Sequence, residues 1–220
     1  MSQFHYQPPQ NPLDIVHVDD HLIVLNKPCG LLTVPGRLPE HRDSLALRVQ
    51  QQYSGALVVH RLDMDTSGIV VMALNQQSHR HLSRQFQDRH TQKAYYAWVW
   101  GEVAEHRGSV DLPLICDWPN RPLQKVDHEN GKPSLTHWQR LAVRQVCTLL
   151  ELQPHTGRSH QLRVHMQAIG HPILGDRFYA HTQALEAADQ LQLHAARLAL
   201  DHPVSGELMT FEVPPPFELG

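Results

Sequence analysis

Residues 58–74, VVHRLDMDTSGIVVMAL, place charged and hydroxyl side chains between two apolar runs. An arginine and two carboxylates lie in this stretch, at Arg61, Asp63 and Asp65. Burying such charges costs on the order of several kcal/mol unless they are paired, so the cluster is a candidate for chemistry. An ionised aspartate held in place can act as a covalent nucleophile, and a nearby arginine would keep its pKa low.

The two aspartates differ in how the chain can hold them. Asp65 begins the tetrapeptide 65–68, DTSG, whose residue types are those of a β-turn with a permissive glycine. Asp63 is closer to the first apolar run, where a predicted strand would fix its side chain. The residues alone therefore favour Asp63 as the reactive carboxylate, with a role in capping the loop as its alternative.

Other kinds of reactive site lack their sequence signatures. The chain contains no GxGxxG, GxxxxGK[ST] or GxSxG motif, which argues against a phosphate-binding loop and a serine nucleophile. Its three cysteines form no CxxC pair, which argues against a disulfide framework and a thiolate zinc site. Histidines recur at H-x₄-H spacing between 155 and 165, which does not place two imidazoles on one helical face. We expect no metal and no cofactor.

Charge gives a mixed indication of a nucleic-acid partner. The formal net charge is −3, which is not that of a strongly basic protein. Residues 79–93 nevertheless hold four basic side chains and one acidic one. This stretch is either a solvated helix face or a surface for an anionic partner. The chain shows neither an export signal nor an apolar run of membrane-spanning length, so we expect a cytoplasmic protein.

The apolar pattern predicts hairpins and a few helices. The predicted strands cover 15–18, 21–26, 58–59, 69–74, 94–103, 135–143 and 146–152, with a last hairpin around 204–206. The predicted helices cover 44–53, with Ser44 as N-cap, and 78–90, 158–169 and 182–193. Residues 110–133, rich in Pro, Asp and Asn, are predicted as an extended loop. We expect an α+β fold with a mixed, mostly antiparallel central sheet flanked by helices.

Residues 60–68, HRLDMDTSG, resemble the signature HRLDxxTSG of the RluA family of pseudouridine synthases. Further segments resemble motifs of that family in the same order, namely 26–31 (NKPCGL), 93–95 (KAY), 156–165 (TGRSHQLRVH) and 172–176 (PILGD). The resemblance implies one pseudouridine synthase catalytic domain over 14–220, with an active-site cleft across the sheet. Residues 1–13 would be an N-terminal extension, without the S4-type RNA-binding domain of many relatives.

The resemblance also implies a reaction. It implies isomerisation of specific uridines to pseudouridine in stem-loops of 23S rRNA and in tRNA anticodon stem-loops. An enzyme of the same family with a single rRNA or tRNA target is the alternative. The expected partner is structured RNA, and the expected state is a monomer. Two other classes remain as rivals, a non-catalytic RNA-binding module and a metal-dependent hydrolase that uses some of the histidines.

The resemblance assigns roles to individual residues. It implies that Asp63 starts the glycosidic cleavage, that Arg163 pairs with it and that Tyr95 packs against the uracil. Arg61 would fill the stack that the flipped uridine leaves, which suits a planar guanidinium. The full set expected to bind substrate is Arg61, Leu162, His60, Lys27, Arg158 and Arg84.

Overall fold

The computed structural model describes residues 5–219, and the chain divides into two compact units. The first unit runs to residue 92 and includes 197–213; the second comprises 93–196 and the residues from 214 onward. Residues 1–4 of the expected N-terminal extension lie outside the described residues. Tyr6 of the same extension is buried, and its hydroxyl donates to the Asp43 carbonyl at 2.9 Å.

The first unit consists of antiparallel strands and two helices around an apolar core. Its elements are β1 (Ile15–Val18), β2 (Leu22–Lys27), α1 (Leu45–Gln52), β3 (Leu57–Val58), β4 (Ser67–Ala73), α2 (Gln76–Gln87) and β12 (Leu208–Glu212), together with the end of β11 (Leu193–Asp201). Strand β2 pairs with β1 and β4, β3 pairs with β4, and β12 pairs with β11, each antiparallel. All of β4 is buried, and Leu82 of α2 and Phe211 of β12 belong to the same core.

Both helices of this unit begin at capped residues. The Ser44 hydroxyl accepts the N–H of Leu47 at 3.4 Å, which confirms the predicted N-cap of α1. The Asn75 side chain accepts the N–H of Ser78 at 2.9 Å, and α2 therefore begins two residues earlier than predicted.

The second unit is also built on antiparallel pairs. Its elements are β5 (Gln92–Trp100), β6 (Arg107–Asp111), β7 (Leu114–Cys116), β8 (Gln124–Val126), β9 (Leu135–Arg144), β10 (Cys147–Pro154), α3 (Gln161–Ala168) and α4 (Thr182–Glu186). Strand β10 pairs with β5 and β9, β6 pairs with β9, and β7 pairs with β8. Leu162 and Met166 of α3 pack into the apolar cluster that β5 and β10 form.

Two predicted elements were wrong. Residues 110–133, predicted as a loop, contain the short hairpin β7–β8, whose three-residue strands are too brief to show a periodic pattern. The helix predicted over 182–193 ends at Glu186, and β11 begins at Leu193. Other segments bind the backbone at the end of the predicted helix, since the Gln192 N–H donates to the Leu174 carbonyl at 2.9 Å and the Gln192 carbonyl accepts the Trp98 N–H at 3.2 Å.

Strand β6 was not predicted either, whereas the other predicted elements lie within about three residues of their observed bounds, and the α+β class is confirmed. Among residues 5–219, no helix has the length and apolar character that crossing a membrane requires.

Candidate active site

Residues 59–66 connect β3 to β4 and carry both candidate aspartates. The N–H of Thr66 donates to the Asp63 carbonyl at 3.2 Å, which closes a β-turn over residues 63–66. The turn lies two residues earlier than predicted because Gly68 already pairs with Lys27 across β4 and β2. Asp63 is half-buried and occupies the first position of this turn.

A buried lysine lies against the same turn. The Lys27 ammonium is fully buried and donates to the carbonyls of Pro28 at 2.9 Å, Leu31 at 2.7 Å and Met64 at 2.9 Å. Three acceptors match the three hydrogens of an ammonium group. Because Met64 is the second residue of the turn, Lys27 fixes the backbone between the two aspartates.

The buried environment of Lys27 affects both its pKa and the role expected for it. Burial lowers the pKa of Lys27 to about 8, and the charges of Cys29, Asp63 and Asp65 act in the opposite direction. The lysine was expected to contact RNA. The geometry does not support that contact, because the ammonium is shielded from solvent and all its hydrogens are donated to carbonyls.

The backbone on the other side of Asp63 is fixed by a threonine. The Leu62 N–H donates to the Thr33 hydroxyl oxygen at 3.2 Å, and that hydroxyl donates to the Leu62 carbonyl at 2.7 Å. Leu62 is buried, whereas the preceding Arg61 is exposed. The exposed Arg61 therefore lies directly beside a stretch of backbone that hydrogen bonds hold in place.

His60 has a packing role in the structure. Its ring stacks on Phe86 of α2 with centroids 4.4 Å apart, and its Nε2 accepts the N–H of Val71 at 3.1 Å. These contacts tie the start of the loop to β4 and α2.

Helix α2 presents its basic residues to solvent. Arg80 and Arg84 are exposed and lie one turn apart, whereas Leu82 and Gln85 are buried. The Gln85 amide donates to the Asp201 carbonyl at 2.7 Å and its oxygen accepts the Asp201 N–H at 2.8 Å. The helix is therefore fixed to β11 on its buried side.

In the second unit, two candidate base contacts share one apolar cluster. Tyr95 lies on β5 opposite Leu152 of β10, is half-buried and packs against the cluster that contains Leu162. An aromatic ring and an aliphatic side chain in one cluster offer an apolar surface that suits the flat face of a base.

Arg163, the next residue of α3, is held by a carboxylate that the sequence reading did not assign. Its Nε and Nη2 donate to the two oxygens of Asp176 at 2.8 and 2.7 Å, and both side chains are at most 2% exposed. The guanidinium carbon lies 5.2 Å from the ring centroids of both Phe178 and Tyr179. Asp176 also accepts the N–H groups of these two residues, so its position is fixed independently of Arg163.

The segment before α3 is ordered by one glutamine. The Gln161 side-chain oxygen accepts the Thr156 hydroxyl at 2.7 Å and the Arg158 N–H at 3.0 Å, and its amide donates to the Thr136 hydroxyl oxygen at 3.0 Å. The Arg158 side chain is exposed.

His165 is buried beside Thr136, which Gln161 also contacts. Its ring nitrogens lie 3.0 Å from the Thr136 hydroxyl and 3.1 Å from the Leu112 carbonyl, and burial lowers its pKa. Within the part of the chain that the structure describes, no group of three or more His, Cys, Asp or Glu residues could hold a metal ion.

The structure thus places Asp63, Arg61, His60 and Lys27 around one loop of the first unit. It places Tyr95, Leu162 and Arg163 in the second unit, on β5 and α3. Sequence reading missed Asp176 as a partner of Arg163, although Asp176 ends the motif-like segment 172–176. An aspartate directly after a glycine in a turn was the available signal. The expected pairing of Arg163 with Asp63 stays a prediction.

Comparisons with known proteins agree on one family. The family model described as RNA pseudouridylate synthase matches residues 21–168. Proteins named dual-specificity RNA pseudouridine synthase RluA are similar to this chain. The one from Vibrio vulnificus is 55% identical, covering 97% of this chain and 88% of its own. The one from Escherichia coli K12 is 54% identical, covering 99% of this chain and 100% of its own.

Solved structures show the same fold. Human RNA pseudouridylate synthase domain containing 1 matches with a TM-score of 0.79 at 29% identity, covering 96% of this chain and 88% of that chain. Human RNA pseudouridylate synthase domain containing 4 matches with a TM-score of 0.74 at 25% identity, covering 92% and 88%.

Proposed function

This chain belongs to the RNA pseudouridylate synthase family and is an RNA pseudouridine synthase, and we propose that it modifies two classes of RNA. The proposed substrates are stem-loops of 23S rRNA and tRNA anticodon stem-loops. The proposal is supported by relatives that align over nearly the whole chain and are named dual-specificity enzymes. An enzyme with a single RNA target is the alternative.

The reaction exchanges one bond of the uridine for another without net oxidation. The bond between uracil N1 and ribose C1′ breaks, a bond between uracil C5 and C1′ forms, C5 loses a proton and N1 gains one. We assign Asp63 as the carboxylate that starts the glycosidic cleavage. Its half-buried position at the head of a pinned turn supports the assignment, because a reacting carboxylate must be held in place and remain accessible.

Positive charge lies near Asp63, because Lys27 and Asp63 interact electrostatically in the first unit. We further propose that Arg163 contributes its charge to the same reaction. Its two hydrogen bonds to Asp176 support this role, because they fix the plane of the guanidinium.

The uracil must leave the RNA stack before its glycosidic bond can react. We propose that Tyr95 and Leu162 contact the extruded base and that the Tyr95 hydroxyl takes the proton from C5. Arg61 would occupy the vacated place in the stack, which its exposure beside a fixed backbone supports. The exposed Arg84 and Arg158 would contact phosphates.

We propose that both units act together as one catalytic domain, in a cytoplasmic monomer. The family match, which includes residues of both units, supports a single catalytic domain. Size-exclusion chromatography coupled to light scattering tests the monomer, and a dimeric mass would contradict it.

The catalytic assignment is tested in cells that lack the gene and are complemented with wild type or a variant. Pseudouridine is then mapped in their total RNA. We expect wild type to restore sites in 23S rRNA and in tRNA, Asp63→Asn to restore neither, and the matched variant Asp65→Asn to restore both. Purified Asp63→Asn should still bind RNA. Restoration by Asp63→Asn together with failure of Asp65→Asn would show that Asp65 is the reacting carboxylate. Restoration of one RNA class alone would favour the single-target alternative.

A further inference from the structure

The most exposed tryptophan of the described residues is an unusual surface feature. Trp118 is 67% exposed, whereas Trp98 is 7% and Trp138 is 9% exposed. It opens a short 3₁₀ turn, Trp118–Asn120, between β7 and β8. Large aromatic side chains are usually mostly buried, so this exposed ring is a candidate contact for a ligand, which its neighbours must support.

A cation stacks on this ring. The Arg121 guanidinium carbon lies 4.5 Å from the Trp118 ring centroid. A guanidinium at this distance stabilises the orientation of the ring and adds positive charge beside it. The large remaining exposure of Trp118 shows that Arg121 covers only part of the indole surface.

The turn that carries Trp118 is ordered by its own hydrogen bonds. The Asn120 amide donates to the Asp117 carboxylate at 2.8 Å, the Asp117 N–H donates to the Leu123 carbonyl at 2.9 Å, and the Leu123 N–H donates to the Asn120 carbonyl at 3.0 Å. The ring is therefore presented from a defined backbone. A preorganised aromatic loses little conformational entropy when it binds.

The β7–β8 hairpin packs against helix α3, which carries Leu162, one of the two proposed base contacts. Leu123 and Val126 pack against a cluster that contains Val164 of α3 and Tyr179. The Tyr179 hydroxyl accepts the N–H of Gln124 at 2.9 Å. Leu162 belongs to the same helix, so the β7–β8 hairpin and the proposed uracil contact share one support within the second unit.

We propose that Trp118, backed by Arg121, is a stacking platform for an unpaired base of the substrate RNA, outside the modified uridine itself. This inference rests on the proposed function, because it presumes an RNA stem-loop as the ligand. Sequence-specific RNA recognition commonly splays loop bases onto aromatic side chains. An adjacent arginine suits such a site, because its guanidinium can contact the phosphate of the stacked nucleotide.

The test compares four forms of the full chain on one RNA stem-loop that wild type converts. They are wild type, Trp118→Ala, Trp118→Phe and Leu208→Ala; the last removes a side chain that is 68% exposed, on a strand of the first unit. We expect Trp118→Ala to raise Kd and KM about tenfold with little change in kcat, as base–aromatic stacking predicts. Trp118→Phe should stay within about threefold of wild type, and Leu208→Ala should match wild type.

Two further readouts separate stacking from other roles. RNA should quench tryptophan fluorescence in wild type, and Trp118→Phe should remove most of that quenching. The slope of log Kd against log salt should be the same in wild type and Trp118→Ala, because stacking releases no counterions. The quenching readout remains informative if Trp118→Ala folds poorly, because it compares wild type with Trp118→Phe.

Three outcomes would overturn the inference. In the first, wild type is active and Trp118→Ala has the same Kd and KM. In the second, RNA quenches the fluorescence of Trp118→Phe as much as that of wild type. In the third, wild type is a dimer that Trp118→Ala converts to a monomer without loss of RNA affinity. The last would assign the ring to self-association. If wild type forms no pseudouridine in any stem-loop, that result contradicts the proposed function rather than the role of Trp118.

Discussion

Lys27 and Arg163 are both nearly inaccessible to solvent, and each illustrates a different way of stabilising a buried cation. Three carbonyl groups surround the Lys27 ammonium, whereas the carboxylate of Asp176 binds Arg163 through two parallel hydrogen bonds. Buried ions add little net stability even when paired, but removing one partner is costly. These arrangements therefore serve to hold groups in place more than to stabilise the fold.

Asp176→Asn should weaken the fold and slow the reaction. The substitution replaces the carboxylate that binds Arg163 through two buried hydrogen bonds with a neutral amide, which costs about 3–5 kcal/mol of unfolding free energy. Urea denaturation measures this loss, and kcat on an RNA stem-loop measures the effect on orientation. The exposed Asp189→Asn is the control and should change neither quantity. Equal stability of Asp176→Asn and wild type would show that the pair is dispensable.

Lys27 should make stability depend on pH in the alkaline range. Its pKa is about 8 in the folded protein and near 10.5 when unfolded, so between these values the unfolded state binds more protons. The free energy of unfolding should therefore rise with pH over this interval, by up to about 3 kcal/mol, relative to Lys27→Met.

Urea denaturation at pH 7, 9 and 10 measures this difference for wild type and Lys27→Met. The exposed Lys125→Met provides the control and should follow wild type at every pH. Parallel curves for wild type and Lys27→Met would contradict a depressed pKa.

At the level of elements, turns position Asp63 and Asp176, whereas Arg163 lies on helix α3. Asp63 heads the turn between β3 and β4, and Asp176 lies in the turn that follows Gly175. Gly175 has φ +71°, and a Cβ added there would collide with the Gln190 carbonyl oxygen. A side chain at this position would therefore have to displace the backbone beside Asp176.

Gly175→Ala should destabilise the protein more than Gly170→Ala. Both glycines have positive φ, which costs alanine about 1 kcal/mol, but a Cβ at Gly170 meets nothing within 4 Å. Thermal unfolding compares the two variants, and kcat shows whether displacement of Asp176 reaches the reaction. Similar melting temperatures for both variants would mean that the chain accommodates the contact with Gln190.

Considered as a whole, the molecule has a net charge of −3 and yet acts on a polyanion. Local charge resolves this conflict, because α2 presents Arg80 and Arg84 on one exposed face. Phosphate contacts release counterions and make affinity fall with salt.

RNA affinity should fall at least about tenfold between 50 and 200 mM salt. The double variant Arg80→Ala/Arg84→Ala should bind more weakly and reduce the slope of log Kd against log salt by about 1–2. The control is Arg144→Ala/Arg197→Ala, since Arg144 pairs with Glu218 and Arg197 lies opposite Glu212. A flat salt response of wild type would contradict phosphate-mediated binding.

The sequence by itself determined the family, the α+β class and the loop that carries Asp63. These depend on short motifs and on local hydrophobic periodicity, which a single chain displays directly. Only the tertiary structure decided that Lys27 is buried against the Met64 carbonyl, that Asp176 holds Arg163 and that the helix predicted over 182–193 ends at Glu186. Burial and long-range partners set these outcomes, and neither is encoded in the spacing of neighbouring residues.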